Sequence, residues 1–296
     1  MDPHSSRPHL LRRSKVGLPV VAAAILAIGV LSAPASGGTT DNAADPDTVR
    51  LLHVGAADTG DFLGALVAPF EQETGYDVVP TMGGIDIFDQ ARASEADIVM
   101  AHLGFTELQE FVTEGYGHRP ATVMSNTVVF LGPPTDPVGI ATAADPVEAF
   151  GMIAEAEHPF VVNNLGETRF IFDTAWNAVG RPAGDWIIDP GLSGPGAVRE
   201  AARRGAYTLW GLHPFLMLQS SPQPVNLTAQ VYNDSLMQRI LATVVVKRPP
   251  GRVNEEGALA LQEYLVRPDI QATIRNFRLE GFDMPVFWPA ANQNDN

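Results

Sequence analysis

The side chains in this chain that could do chemistry suit binding better than catalysis. Five of the seven histidines, His53, His102, His118, His158 and His213, lie beyond residue 35, and none stands at the spacing of a local metal site. There is no cysteine, which removes disulfides, thiolate metal sites, thiol nucleophiles and an acceptor for an N-terminal lipid. The segment Gly191-Leu-Ser-Gly-Pro195 comes nearest to a nucleophile elbow, but proline stands where that turn needs glycine. Acidic residues outnumber basic ones 34 to 19, so carboxylate pairs arise by chance and read as solvated surface. These observations argue against an enzyme and call for no metal or other cofactor. A formal net charge of −15 also argues against nucleic acid and anionic membrane surfaces as partners.

Small loops rich in donors remain. The run Val49–Gly55 reads as a strand, and Phe62, Leu63, Leu66, Val67 and Phe70 form the apolar stripe of a helix. Between them, Asp58, Thr59 and Asp61 are N-cap candidates beside two glycines. The layout recurs downstream: strand Phe160–Val162, then Asn163-Asn164-Leu165-Gly166, then a helix over Glu167–Val179 that carries Thr168 and Arg169. The first amides of a helix are unpaired and its N-terminus is partly positive, so each loop can hold a small anionic or polar group. His102 ends the strand Asp97–Ala101, and Ser125-Asn126-Thr127 interrupts the extended run Val123–Leu131. The candidate ligand residues are therefore Asp58, Thr59, His102, Asn126, Thr127, Asn163, Asn164, Thr168 and Arg169. A carboxylate at Asp58 would repel an anion and favour a neutral or cationic ligand. Arg119 and Arg169 read by default as members of surface ion pairs.

Residues 1–35 read as a secretory signal. Arg7, Arg12, Arg13 and Lys15 precede an apolar stretch, Val16–Leu31, and Ala33-Pro34-Ala35 predicts cleavage after Ala35. Residues 36–47 read as a tether, and 292–296 as a polar tail. Strands alternating with helices predict an α/β fold with mainly parallel sheets flanked by helices. Further helices are expected at Ile85–Ala93, Thr106–Glu114, Ala197–Arg204, Asn254–Val266 and Ile270–Phe277. The runs Val123–Leu131 and Ile240–Val246 read as two strands crossing between lobes. One lobe then comprises 48–131 and 236–291, and the other 132–235.

The chain resembles the periplasmic tungstate-binding proteins of ABC importers, within the type II periplasmic solute-binding proteins. The matching stretches are PFEQETGYDV (Pro69–Val78), ADIVMAH (Ala96–His102), FVTEGYG (Phe111–Gly117), VVFLGPPTDPVGI (Val128–Ile140), AFGMIAEAEHPFV (Ala149–Val161), GAYTL (Gly205–Leu209) and PVFWPAA (Pro285–Ala291). The resemblance implies a two-lobed fold with two crossing strands as hinge. It also implies a periplasmic monomer that closes on a small oxyanion such as tungstate or molybdate and delivers it to an inner-membrane permease. The departures fall on the ligand loops. Where the family has a run of threonines and serine, this chain has His53-Val-Gly-Ala-Ala57, with its hydroxyl only at Thr59. The family's second-lobe arginine is Asn163 here, and its Asp-Arg-Gly-Thr-Tyr is Gly211-Leu212-His213-Pro214-Phe215. Replacement of the lost donors would come from His102, His213, Arg169 or backbone amides. A site retuned to another small ligand, or a sensory or protein-interaction role without transport, is the alternative reading.

Overall fold

Strands that are apolar on both faces must be covered on both. In β1 (Thr48–His53), Val49 and Leu51 enter one core and Leu52 another. The computed structural model describes residues 44–57, 61–84, 86–248 and 251–291; the expected signal, most of the tether, the tail, Asp58 and Thr59 lie outside them. A single helical turn at Gly55–Ala57 follows β1. Helix α1 (Phe62–Thr74) then buries the expected stripe, with Phe62 packed on the rings of Phe277 and Phe287. Asp61 does hold the N-cap position of α1, but its carboxylate makes no capping hydrogen bond. The helix stops at Gly75, whose φ of 82° is a left-handed C-cap conformation that glycine adopts without strain.

Strand β2 (Asp77–Met82), helix α2 (Ile87–Arg92), strand β3 (Ile98–His102) and helix α3 (Thr106–Thr113) complete the opening α/β units. β2 and β3 both run parallel to β1, with Thr48 opposite Asp77 and Leu51 opposite Ile98. The long strand β4 (Ala121–Gly132) is buried along almost its whole length. Beyond it come α4 (Pro146–Glu155), β5 (Phe160–Val161), α5 (Gly166–Ala178), β6 (Ile187–Ile188), α6 (Pro195–Arg204), β7 (Thr208–Gly211), α7 (Leu212–Gln219) and β8 (Thr228–Gln230). The chain returns through β9 (Gln238–Val245), α8 (Glu255–Leu265), α9 (Pro268–Asn276) and β10 (Trp288–Pro289).

The main sheet has the order β10-β4-β9-β3-β1-β2. It is parallel through β2, β1 and β3 and antiparallel from there on, because β9 returns against both β3 and β4. The sheets are thus mixed, with parallel order confined to the α/β units. Helix α7 has no counterpart in the sequence-based assignment. Pro214 masks it there, yet proline is tolerated in a first turn, where the missing amide would have no helical acceptor.

β4 changes partners midway. Ala121–Thr127 pair with β9, with Asn126 opposite Arg239 and Thr127 opposite Gln238, whereas Val128–Leu131 pair with β7. The GPP-TDP and GAYTL stretches meet next to this second half. The Tyr207 hydroxyl donates to Asp136 at 2.6 Å, and its ring fills the space that a side chain at Gly132 would need.

On the other side of the molecule, Asp97 is fully buried and fully used. It pairs with Arg50 at 2.6 Å and accepts the backbone amides of Arg50 (2.6 Å) and Asn254 (2.8 Å), joining β1 and β3 to the cap of α8. Replacing it strips the Arg50 guanidinium of its carboxylate partner and takes this acceptor from two amides. Asp97→Ala is expected to cost about 3–5 kcal/mol, read as a lower denaturant midpoint in chemical unfolding.

Candidate functional site

The change of partner in β4 opens a cavity of about 420 Å³, lined by Val54, Gly55, His102, Phe105, Asn126, Thr127, Val128, Leu165, Glu167, Trp210, Gly211, His213, Pro214 and Arg239. A wider one of about 830 Å³ adjoins it, sharing His102, Phe105, Glu167 and Arg239 and adding apolar walls from Phe170, Ile171, Leu236 and Ile240. Each polar group is delivered by the end of an element. β3 ends at His102, β9 begins beside Arg239, and Asn126 and Thr127 sit at the last rung before β4 changes partner. α5 and α7 begin at the wall with Gly166–Glu167 and Leu212–His213, and their first amides have no helical acceptor. The site thus lies beyond strand ends, where α/β sheets place ligands.

Of the nine predicted residues, His102, Asn126 and Thr127 come together at this wall. Asp58 and Thr59 lie outside the described residues, although Val54 and Gly55, which lead into that loop, do line the cavity. The other four are engaged elsewhere. Asn163 is buried, accepts the Gly194 amide at 2.8 Å and donates to the Leu209 carbonyl at 3.0 Å, so it staples two loops. Thr168 donates to the Asn163 carbonyl at 2.8 Å. Arg169 binds Asp173, Asp189 and Asn164, each at 3.1 Å, while Asn164 donates to Asp189 at 2.8 Å. Arg239 went unnoticed in the sequence. Its one signal is its position, a lone charge at the entry to an apolar crossing strand.

The wall is electrically mixed. Arg239 donates to Glu167 across 3.0 Å. His102 Nδ1 and Asn126 Oδ1 are buried and have no hydrogen-bond partner among the described residues. Leaving such groups unmatched costs about 1–3 kcal/mol each, which a ligand offering complementary groups recovers. The Thr127 hydroxyl is taken by the Val128 carbonyl at 2.8 Å. Burial, and then the nearby Arg239 charge, lower the His102 pKa to about 4 against an opposing backbone hydrogen bond with Ile240, so the imidazole is neutral at pH 7. Among the described residues no group of three or more His, Cys, Asp or Glu is placed to hold a metal ion.

The His102 shift has a sign that can be checked. Its folded pKa lies below the ordinary 6.5, so the unfolded chain takes up the proton more readily. The stability that His102 contributes as a neutral group is complete above about pH 6.5 and falls as the pH drops towards about 4. Melting temperatures measured across that window should decline more steeply for the natural chain than for His102→Gln.

No model of a known protein family matches the chain. It is 30% identical over 246 residues, 79% of this chain and 69% of the relative, to a proposed ABC transporter anion-binding protein of Haloferax volcanii. It is also 26% identical over 241 residues, 79% of this chain and 82% of the relative, to the tungstate-binding protein TupA of Peptoclostridium acidaminophilum. In fold it matches the tungstate-binding protein TupA of Desulfovibrio alaskensis G20 with a TM-score of 0.70 at 23% identity, over 82% of this chain and 99% of the other. The architecture is therefore the two-lobed type II periplasmic binding-protein fold, with β4 and β9 as its crossing strands. With that fold, and with the likeness to the Haloferax protein running along most of both sequences, the chain belongs to the anion-binding proteins of ABC transporters.

Proposed function

We propose that this protein is the extracytoplasmic solute-binding component of an ABC importer and that it captures a tetrahedral oxyanion, tungstate or molybdate first, at the wall of His102, Asn126, His213 and Arg239. The observation that carries this reading is the pair of buried polar atoms without partners among the described residues, His102 Nδ1 and Asn126 Oδ1, beside a guanidinium and two helix N-termini. A terminal amide can turn to present its NH₂, and a neutral imidazole donates at Nδ1 in the tautomer that carries its proton there, so both groups can donate to an oxyanion. Arg239 adds charge and a planar fork of donors, which the family's arginine supplies from the other lobe. The names of the Haloferax and TupA relatives support an anion as ligand.

In this reading residues 48–131 and 236–291 form one lobe and 132–235 the other, with the boundary a few residues past Thr127–Val128, where β4 changes partner. Closure brings α5 towards β3 and β9, excludes water and strengthens every hydrogen bond to the anion. The leader directs export, the protein acts as a monomer, and its partner is the importer's permease.

The test is a titration of the chain from Ser36 with tungstate, molybdate, sulfate and phosphate, followed by melting temperature and by the fluorescence of Trp210 in the cavity wall. A ligand at a hundred times its Kd adds about 2.7 kcal/mol of apparent stability, so a saturable upward shift with tungstate or molybdate is expected. Arg239→Gln should weaken that binding by about 10- to 100-fold, the worth of one charged hydrogen bond. No shift with any of the four anions would overturn the proposal.

A further inference from the structure

Glu167 stands where an incoming anion needs to be. Its carboxylate is 3.0 Å from Arg239 Nη1, and it lies in the first turn of α5. The guanidinium is engaged by one internal carboxylate, which also lies in the first turn of α5, near the helix's positive end. With His102 neutral, an anion entering the resting cavity meets a wall whose one fixed cation among the described residues, Arg239, is already balanced. The two partners are held unequally. Arg239 is 20% exposed and its backbone is locked in register opposite Asn126, whereas Glu167 is 39% exposed at a helix start. Glu167 can turn out into water while the guanidinium stays in the wall.

We infer that Glu167 is an internal counter-anion, which the ligand must displace from Arg239 and from the N-terminus of α5 before it can bind. The inference rests on the anion reading of the site. Displacement makes one fixed demand on every ligand, so it sets a threshold: weakly bound anions are shed, and anions with enough charge and donor contacts to overcome it are retained. It also leaves Arg239 paired when the cleft is empty, which avoids an unbalanced charge at a half-buried position.

Displacement can be told from simple repulsion by ligand charge. Coulomb repulsion from a carboxylate that stays in place doubles in energy from a monoanion to a dianion, whereas the work of displacing it is the same for both. The experiment is calorimetric titration of the natural chain and Glu167→Gln with molybdate and with perrhenate, a tetrahedral monoanion of similar size. Glu107→Gln, which removes an exposed carboxylate from α3, serves as the net-charge control. Displacement predicts that Glu167→Gln tightens both anions by a similar factor, about two- to fivefold, with Glu107→Gln unchanged. Binding by Glu167→Gln alone would support it as well. A molybdate gain near the square of the perrhenate gain would show that Glu167 stays in place and repels, and would overturn the inference. So would unchanged or weaker binding in Glu167→Gln, which would make Glu167 a support for Arg239 and leave the anion reading standing. Failure of every variant to bind either anion would overturn both.

Discussion

The structure depends on the way one buried strand serves two sets of neighbours. Every amide and carbonyl of a buried strand needs a partner, and β4 meets that demand with β9 up to Thr127 and with β7 from Val128 on. Where one partner gives way to the other, the sheets part, and the space between them is the cavity. The lining residues come from element ends because elements end there: His102 closes β3, Arg239 opens β9, and α5 and α7 start at the rim. The same junction explains why polar residues interrupt the most apolar run of the chain. Asn126 and Thr127 line the cavity at this junction, with the Thr127 hydroxyl turned to the Val128 and Met237 carbonyls.

The electrostatics of this gap differ from those that the family resemblance implies. A run of hydroxyls and a second-lobe arginine would make a strongly donating, positive pocket. Here Asn163, at the arginine's place, is consumed by the Gly194 amide and the Leu209 carbonyl, and the cation comes instead from Arg239 on a crossing strand. Burial keeps His102 uncharged, and Glu167 balances Arg239. In the proposed reading, such a wall recognises its ligand by hydrogen-bond geometry more than by net charge. That suits a protein whose overall charge of −15 repels anions at long range.

Much of the scaffold was legible. The stripe from Phe62 to Phe70, the helix expected over 167–179 and found over 166–178, and the two crossing strands announced themselves through periodicity and length, because burial of apolar faces imposes those patterns locally. Helix α7 was hidden by Pro214, whose tolerance depends on its place in the first turn, which no composition rule conveys. Of the site, His102, Asn126 and Thr127 could be picked out because each is a polar residue at the end or in the middle of an apolar strand. Arg169, read by default as a member of a surface ion pair, is one: Asp173 stands four residues on along the same helix, while Asp189 is brought against it only by the tertiary fold.

The sequence by itself determined the alternation of strands and helices, the two crossings, the lack of thiol chemistry and the donors available to a ligand. These follow from side-chain type and spacing along the chain. The tertiary structure alone decided which donors meet. Arg239 and Glu167 are far apart in sequence and come within 3.0 Å only because β9 returns beside β4 while α5 begins across the gap. Register and crossing direction are properties of the packed sheets, set by pairing a whole strand at once, and no single residue carries them.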